Sequence, residues 1–140
     1  MTQKIEVPFT NLASQHSLIK EELMQAVEKV LNHGKFVLGD EVNQFEKQFA
    51  DLCGVNFAVG VNSGTDALIL SLQALGIGPG AEVITVPNSF VATASCISVV
   101  GAAPVFVDVQ QDLNINTEQI ERAITSKTRA IIPVHMTGHP

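Results

Sequence analysis

Residues 59–68 read Val59-Gly60-Val61-Asn62-Ser63-Gly64-Thr65-Asp66-Ala67-Leu68, an apolar run that gives way to a polar turn. The apolar run, residues 57–61, predicts a buried strand, and residues 66–75 carry apolar side chains at helical spacing. A strand that turns directly into a helix gathers unpaired backbone N–H groups at the positive end of the helix dipole. Gly64 and Thr65 are therefore candidate ligands for an anion, most often a phosphate. The alternative is that a Ser or Thr here only caps the helix.

Composition places the chain among globular proteins, with 140 residues of which 46% are hydrophobic and 16% charged. The formal charge of −6 argues against nucleic acid or an anionic membrane as the main partner. The first residues lack the apolar core of a signal peptide, and no apolar run is long enough to span a bilayer. Cys53, Cys96 and the histidines show no metal-ligand spacing. We therefore expect no metal site, and packed, reduced thiols in a cytoplasmic protein.

Residues 1–54 are predicted to form a helical segment. Apolar positions at helical spacing predict one helix over residues 14–33, with an apolar stripe along one side, and a second over residues 40–52, each ended by a glycine. The linking residues are unusually apolar for a loop: Gly34-Lys35-Phe36-Val37-Leu38-Gly39. We expect this loop to pack against the body of the protein, or else to be covered by another subunit.

Residues 55–140 alternate between strand-like and helix-like stretches. Strands are expected at 57–61, 82–86, 104–109 and 129–134, and helices at 66–75, 90–100 and 116–124, the last two capped by Asn88-Ser89 and by an Asn116–Gln119 capping box. This alternation predicts an α/β domain with a mostly parallel sheet and helices on both faces. Ligands of such sheets bind beyond the carboxyl ends of the strands, where residues 62–65, 88–90 and 135–139 are the candidate sites.

Six stretches, taken in order, resemble one known family. They are residues 34–39 with Val42 and Phe45-Glu46, then 62–68, 75–84, 87–94, 105–108 and 132–135. From about Pro8 to its last residue, the sequence closely resembles the start of the DegT/DnrJ/EryC1/StrS family of sugar aminotransferases. The resemblance implies the aspartate aminotransferase fold (fold type I). Residues 55–140 would then form the N-terminal part of the large, cofactor-binding domain, preceded by two helices.

The resemblance implies a homodimeric enzyme that uses pyridoxal 5′-phosphate (PLP). Such an enzyme moves an amino group, usually from glutamate, onto a keto group of a nucleotide-linked sugar. The cofactor phosphate is implied to bind the backbone of Gly64 and Thr65, in agreement with the predicted anion site, and Phe90 to stack on the pyridine ring. From the residues alone, Phe90 is instead expected to be a core aromatic of its apolar helix.

The resemblance also implies that the lysine that forms a Schiff base with the cofactor lies further along than Pro140, as does the carboxylate that faces the pyridine nitrogen. None of the six lysines stands in the matching context. No catalytic residue is therefore assigned, and the chain is expected to be an inactive N-terminal fragment. His135, at a strand end, is a further candidate for ligand contact, and Asp108 is expected to serve in a turn or as a cap.

Two alternatives remain open at this point. A deoxysugar dehydratase of the same family, in which a histidine replaces the lysine, is not distinguished by these residues. A non-catalytic α/β module could use the same helix end to bind a phosphorylated ligand, although an uncovered last strand argues against a complete module.

Overall fold

The computed structural model describes residues 7–140. Contacts divide them into two compact units, a first that ends at Gly60 and a second over Val61–Pro140. In chain order the elements are α1 (Leu12–Ser17), α2 (Lys20–His33), α3 (Asp40–Cys53), α4 (Gly64–Ala74), β1 (Glu82–Thr85), α5 (Ala92–Val99), β2 (Ala103–Phe106), α6 (Thr117–Ala123) and β3 (Thr128–Ile132). The predicted α/β class is confirmed for the second unit.

The first unit is helical, but it contains three helices where the sequence predicted two. The predicted helix over residues 14–33 is interrupted at Ile19, whose φ of −119° and ψ of 11° lie outside the helical region. Its N–H donates to the carbonyl of His16, three residues back, so the turn tightens and α1 ends. Gly34 and Gly54 end α2 and α3 in the left-handed conformation, as predicted, with φ of 69° and 66°.

Within the first unit, α2 and α3 are joined by the carboxylate of Glu41. Its Oε1 lies 3.1 Å from Nζ of Lys29 and 3.2 Å from Nε2 of His33. A hydrogen bond from its own backbone N–H, followed by those from Lys29 and His33, lowers the pKa of Glu41 to about 2. The two helices are therefore held together by a charged contact at the surface.

Apolar side chains of the first unit are left uncovered. No residue of α2 is buried among the described residues, so its apolar stripe is not packed into a core. The expected packing of the 34–39 loop is wrong: Phe36, Val37 and Leu38 are all exposed, and Leu38 has a left-handed φ of 51°. The other interpretation of this loop, that a second subunit covers it, stays a prediction.

Residues 57–61 do not form the predicted buried strand. Phe57 is 85% exposed and Val59 78%, and the sheet of the described residues contains β1, β2 and β3 alone. A strand needs a hydrogen-bonded neighbour, which an apolar pattern by itself does not supply. The N–H of Gly60 donates instead to Oε1 of Glu46 at 2.7 Å. This run therefore lies outside the sheet.

The sheet of the second unit has β1 at its centre, paired in parallel with β2 on one side and β3 on the other. Parallel neighbours need crossover connections, and α5 and α6 provide them. Val83 and Ile84 are adjacent in β1 and so point to opposite faces of the sheet, yet both are fully inaccessible. The central strand is thus covered on both faces.

One hydrophobic cluster joins α4, α5 and the sheet. Its buried members are Leu72, Ile77, Val83, Cys96, Ile97 and Ala102. The two helices pack on each other, and each is followed by a short turn into the start of a strand, β1 or β2. Both helices therefore run from the carboxyl edge of the sheet towards its amino edge. Their N-termini lie at the carboxyl edge, where ligands of parallel sheets bind.

The start of α5 differs from the prediction. The helix begins at Ala92 rather than Phe90, and Asn88-Ser89 do not cap it, since its N-cap residue Val91 makes no side-chain capping hydrogen bond. The Ser89 hydroxyl lies instead 2.8 Å from Oγ1 of Thr93, in the first turn. Phe90 therefore belongs to the loop that follows β1.

The predicted capping box of α6 forms only in part. Asn116 caps the helix, because its Oδ1 accepts from the N–H of Glu118 at 3.0 Å. Gln119 does not return the contact, since its Oε1 accepts from the N–H of Asp108 at 3.1 Å. The preceding strand is also shorter than the predicted 104–109: β2 ends at Phe106, and Val109 forms an isolated antiparallel bridge instead.

The two cysteines differ in their surroundings. Cys96 is buried as predicted, and burial raises the pKa of its thiol. Cys53 is exposed, so its predicted packing is wrong. Both thiols are free. The search for helices long and apolar enough to cross a membrane found none in residues 7–140.

Candidate functional site

The turn before α4 is capped and still offers backbone donors. Ser63 is the N-cap: its Oγ accepts from the N–H of Asp66 at 3.0 Å, and its carbonyl accepts from Ala67. The capping interpretation is therefore confirmed for Ser63. The N–H groups of Gly64 and Thr65 have no acceptor among the residues that the structure describes. Two donors thus remain at the positive end of an 11-residue helix.

Open space lies beside Gly64. Gly64 is exposed, and a Cβ built on it would meet no heavy atom within 4 Å. A phosphate group can therefore approach the main chain at Gly64 closely, and the Thr65 hydroxyl can add a further donor. The residues of this turn fit the phosphate of a cofactor.

Phe90 presents its ring to solvent from a fixed backbone. Its side chain is 74% exposed, so the interpretation as a core aromatic is wrong. The carbonyl of Phe90 accepts from the N–H of Thr93 at 3.0 Å, and the neighbouring Ser89 hydroxyl is within hydrogen-bond distance of Oγ1 of Thr93. An exposed aromatic face on a fixed backbone is suited to stacking on a flat heterocycle.

The fold brings Gly64, Thr65 and Phe90 to the same edge of one sheet, because α4 begins and β1 ends there. His135 follows β3 at this edge, where its carbonyl accepts from the N–H of Gly138 in a turn. Asp108 makes a local contact, in which its Oδ1 accepts from the N–H of the adjacent Val109 at 2.8 Å. These contacts do not indicate that either residue binds a ligand.

Two asparagines tie the loops of this edge together. Asn88 Nδ2, after β1, donates to the carbonyl of Leu113 at 3.3 Å, and Asn114 Nδ2 donates to the carbonyl of His139, after β3, at 3.1 Å. The Oδ1 atoms of both asparagines are buried and have no hydrogen-bond partner among residues 7–140. Sequence reasoning missed these contacts, having named Asn88 as a helix cap and as part of the candidate ligand site at residues 88–90. The available signal was an amide side chain at the carboxyl end of a predicted strand.

A search for clusters of three or more His, Cys, Asp or Glu side chains that could hold a metal ion found none in the described part of the chain.

Comparison with known proteins identifies a family that this chain matches. The model of the DegT/DnrJ/EryC1/StrS aminotransferase family matches residues 17–140. The chain is similar to a dTDP-3-amino-3,4,6-trideoxy-alpha-D-glucose transaminase of Streptomyces venezuelae, with 44% identity over 96% of this chain and 36% of the relative. It is also similar to a UDP-N-acetyl-3-dehydro-alpha-D-glucosamine 3-aminotransferase of Acidithiobacillus ferrooxidans, with 45% identity over 100% of this chain and 38% of the relative.

A solved structure gives the same picture in three dimensions. The crystal structure of NtdA from Bacillus subtilis, with bound cofactor PMP, superposes with a TM-score of 0.90 at 37% identity, over 99% of this chain and 33% of that one. The chain thus spans about 36–38% of the length of the two curated relatives that it matches.

Proposed function

Because the chain belongs to the DegT/DnrJ/EryC1/StrS aminotransferase family, we propose that it is the cofactor-phosphate part of a PLP-dependent aminotransferase. The substrate we propose is a nucleotide-linked keto-sugar, with glutamate as the amino donor. Both relatives named above are aminotransferases by name, one for a dTDP-linked and one for a UDP-linked sugar. The observation that carries the proposal is the pair of N–H groups at Gly64 and Thr65 that have no acceptor among the described residues, with open space beside Gly64.

Each residue of the proposed site has a separate task. Gly64 and Thr65 bind the phosphate through the main chain, where the helix dipole favours negative charge. Phe90 covers one face of the pyridine ring, which fixes its tilt and excludes water. When bound, PLP supplies an electron-accepting ring through which an amino group is passed from donor to acceptor.

The phosphate is the part of the cofactor that this site can be tested on directly. The chain is titrated in parallel with PLP and with pyridoxal, which has the same ring without the phosphate. We expect PLP to bind, inorganic phosphate to compete with it, and pyridoxal to bind at least about tenfold more weakly, as for the loss of charge-assisted hydrogen bonds. Equal affinity for PLP and pyridoxal, without competition by phosphate, would contradict the proposal.

No residue of this chain is proposed to transfer the amine. The six lysines of the sequence lie outside the context that the family resemblance requires; Lys29, for example, pairs with Glu41. We therefore expect borohydride treatment of the PLP-loaded chain to leave the lysines unmodified, and glutamate to stay unconverted. Stable labelling of one lysine, located by peptide mass spectrometry, would overturn this part of the proposal.

We also propose that the whole protein is a homodimer, which the uncovered apolar surface of the first unit supports. A groove of about 520 Å³ is lined by Leu23, Ala26, Val27, Val30, Leu31, Phe36 and Glu41. Apolar grooves of this kind are typical of protein interfaces. Placing an Asp at Phe36 in the whole protein is expected to shift the mass measured by light scattering from dimer to monomer. Leu52→Asp, at an exposed position outside the groove, is the control.

The remaining partner assignments are proposals of the same kind. The net charge of −6 supports the absence of nucleic acid and membrane among the partners. The free thiols Cys53 and Cys96 support a reducing, cytoplasmic location.

A further inference from the structure

The backbone on either side of Phe90 is held at separate points. On the C-terminal side, the Phe90 carbonyl accepts from the N–H of Thr93, and the hydroxyls of Ser89 and Thr93 are 2.8 Å apart. On the N-terminal side, the single hydrogen bond that Asn88 makes runs to the carbonyl of Leu113, 25 residues away in the chain. The ring itself is exposed, so packing does not fix it.

The contact between Asn88 and Leu113 is made under unfavourable conditions. Leu113 has a left-handed φ of 69°, which is strained for a residue with a branched side chain. The Asn88 Oδ1 atom is buried without a donor, and a buried acceptor without a partner is costly. Strain of this kind persists where the surroundings fix it, and it clusters at ligand-binding sites.

From these contacts we infer that Asn88 is a positioning residue, which orients the ring of Phe90 by fixing the loop after β1 to the loop after β2. The inference rests on the proposed function for its ligand, because a stacking ring is useful only where a flat cofactor binds. The structural part of the inference, that Asn88 fixes the loop carrying Phe90, does not depend on the proposed function. Asn88 does not touch the cofactor; it acts through Phe90, two residues along the chain.

The test uses the absence of tryptophan and tyrosine from the sequence. Phe90→Trp introduces the sole indole of the chain at the position in question, and its time-resolved anisotropy reports local motion. Adding Asn88→Ala is expected to increase the fast, local component of the decay. The matched control is Asn114→Ala, which removes the neighbouring contact with His139 and is expected to leave the indole unchanged.

A second variant separates a lost hydrogen bond from general loosening. Asn88→Asp keeps the size of the side chain but replaces the amide donor with a carboxylate, which cannot donate to the Leu113 carbonyl at pH 7. The hydrogen bond is lost, and the local motion of the indole is expected to increase. A carboxyl group with a pKa of about 4 becomes protonated below that pH and can again donate a hydrogen bond. Acidification is therefore expected to reduce the fast local motion of the indole. Asn88→Ala has no such group, and its indole motion is expected to be independent of pH over the same range.

Titration with PLP then distinguishes this inference from the proposed function. If both hold, PLP quenches the indole, and Asn88→Ala raises the dissociation constant roughly three- to tenfold, the equivalent of one hydrogen bond. A freed indole in a chain that PLP does not bind supports the positioning role and refutes the cofactor. An indole equally ordered in all variants, or Asn88→Asp that does not respond to acid, refutes the positioning role even if PLP binds.

Discussion

Adding one methyl group at Gly64 should stabilise the protein and weaken the binding of its proposed ligand, PLP. A Cβ at this position meets nothing within 4 Å, and the backbone there is not left-handed. Gly64→Ala therefore introduces no clash. It reduces the freedom of the unfolded chain in the first turn of α4, which is worth about 0.5 kcal/mol. The same methyl group occupies the space through which a phosphate would reach the N–H groups. Affinity for PLP is expected to fall about tenfold or more, which corresponds to roughly 1.4 kcal/mol.

Gly76→Ala is the matched control, since the added Cβ is also in open space but φ is 70°. A left-handed alanine costs roughly 1–2 kcal/mol, so this variant is expected to be destabilised. Gly76 follows the C-terminus of α4, at the opposite end from Gly64, and PLP affinity should stay unchanged. Urea unfolding gives the two stabilities, and PLP titration gives the affinities. If Gly64→Ala binds PLP as tightly as the parent chain, the phosphate does not approach the main chain at Gly64.

Three further outcomes are expected. The lowered pKa of Glu41 means that its contacts with Lys29 and His33 stabilise the first unit above pH 4.5 and are lost as the pH falls towards about 2; acid titration followed by circular dichroism should show a weaker loss of helix in Glu41→Gln over this window. Ile97→Ala should cost about 3 kcal/mol because Ile97 is fully buried, whereas Val99→Ala, on the same helix but exposed, should change urea stability by less than about 0.5 kcal/mol. Amide hydrogen exchange should be slowest in β1, which is covered on both faces, and much faster in α2, which has no buried residue; equal protection would contradict this view of the first unit.

Local chemistry explains which parts of the fold were predictable from the sequence. Apolar spacing and glycine placement predicted α3, α4 and the left-handed ends at Gly34 and Gly54, because these depend on neighbours a few residues away. The same local patterns were wrong for residues 57–61. An apolar run predicts burial, but a strand forms only if another strand is present to pair with it.

The candidate site shows the same division. The donors at Gly64 and Thr65 were predictable, because a small polar turn before a helix fixes where its free N–H groups lie. For Phe90 the residues alone favoured a core position, because its neighbours along the predicted helix are apolar, whereas the family resemblance implied a ring that stacks on the cofactor. The role of Asn88 depends on a carbonyl 25 residues away, and no spacing rule connects two loops that only the parallel sheet brings together.

The rigidity of β1 explains how an exposed ring and two backbone donors can form a site without rearrangement. Thr85 is fully buried, and its hydroxyl donates to the carbonyl of Ile132 at 2.9 Å, which ties β1 to β3 next to the carboxyl edge. The loop that carries Phe90 thus leaves the sheet from its most buried strand. α4, which carries Gly64, packs into the cluster that also contains Val83 of that strand. The backbone that carries these groups is attached to a packed core, so we expect it to lose little freedom when the proposed cofactor binds.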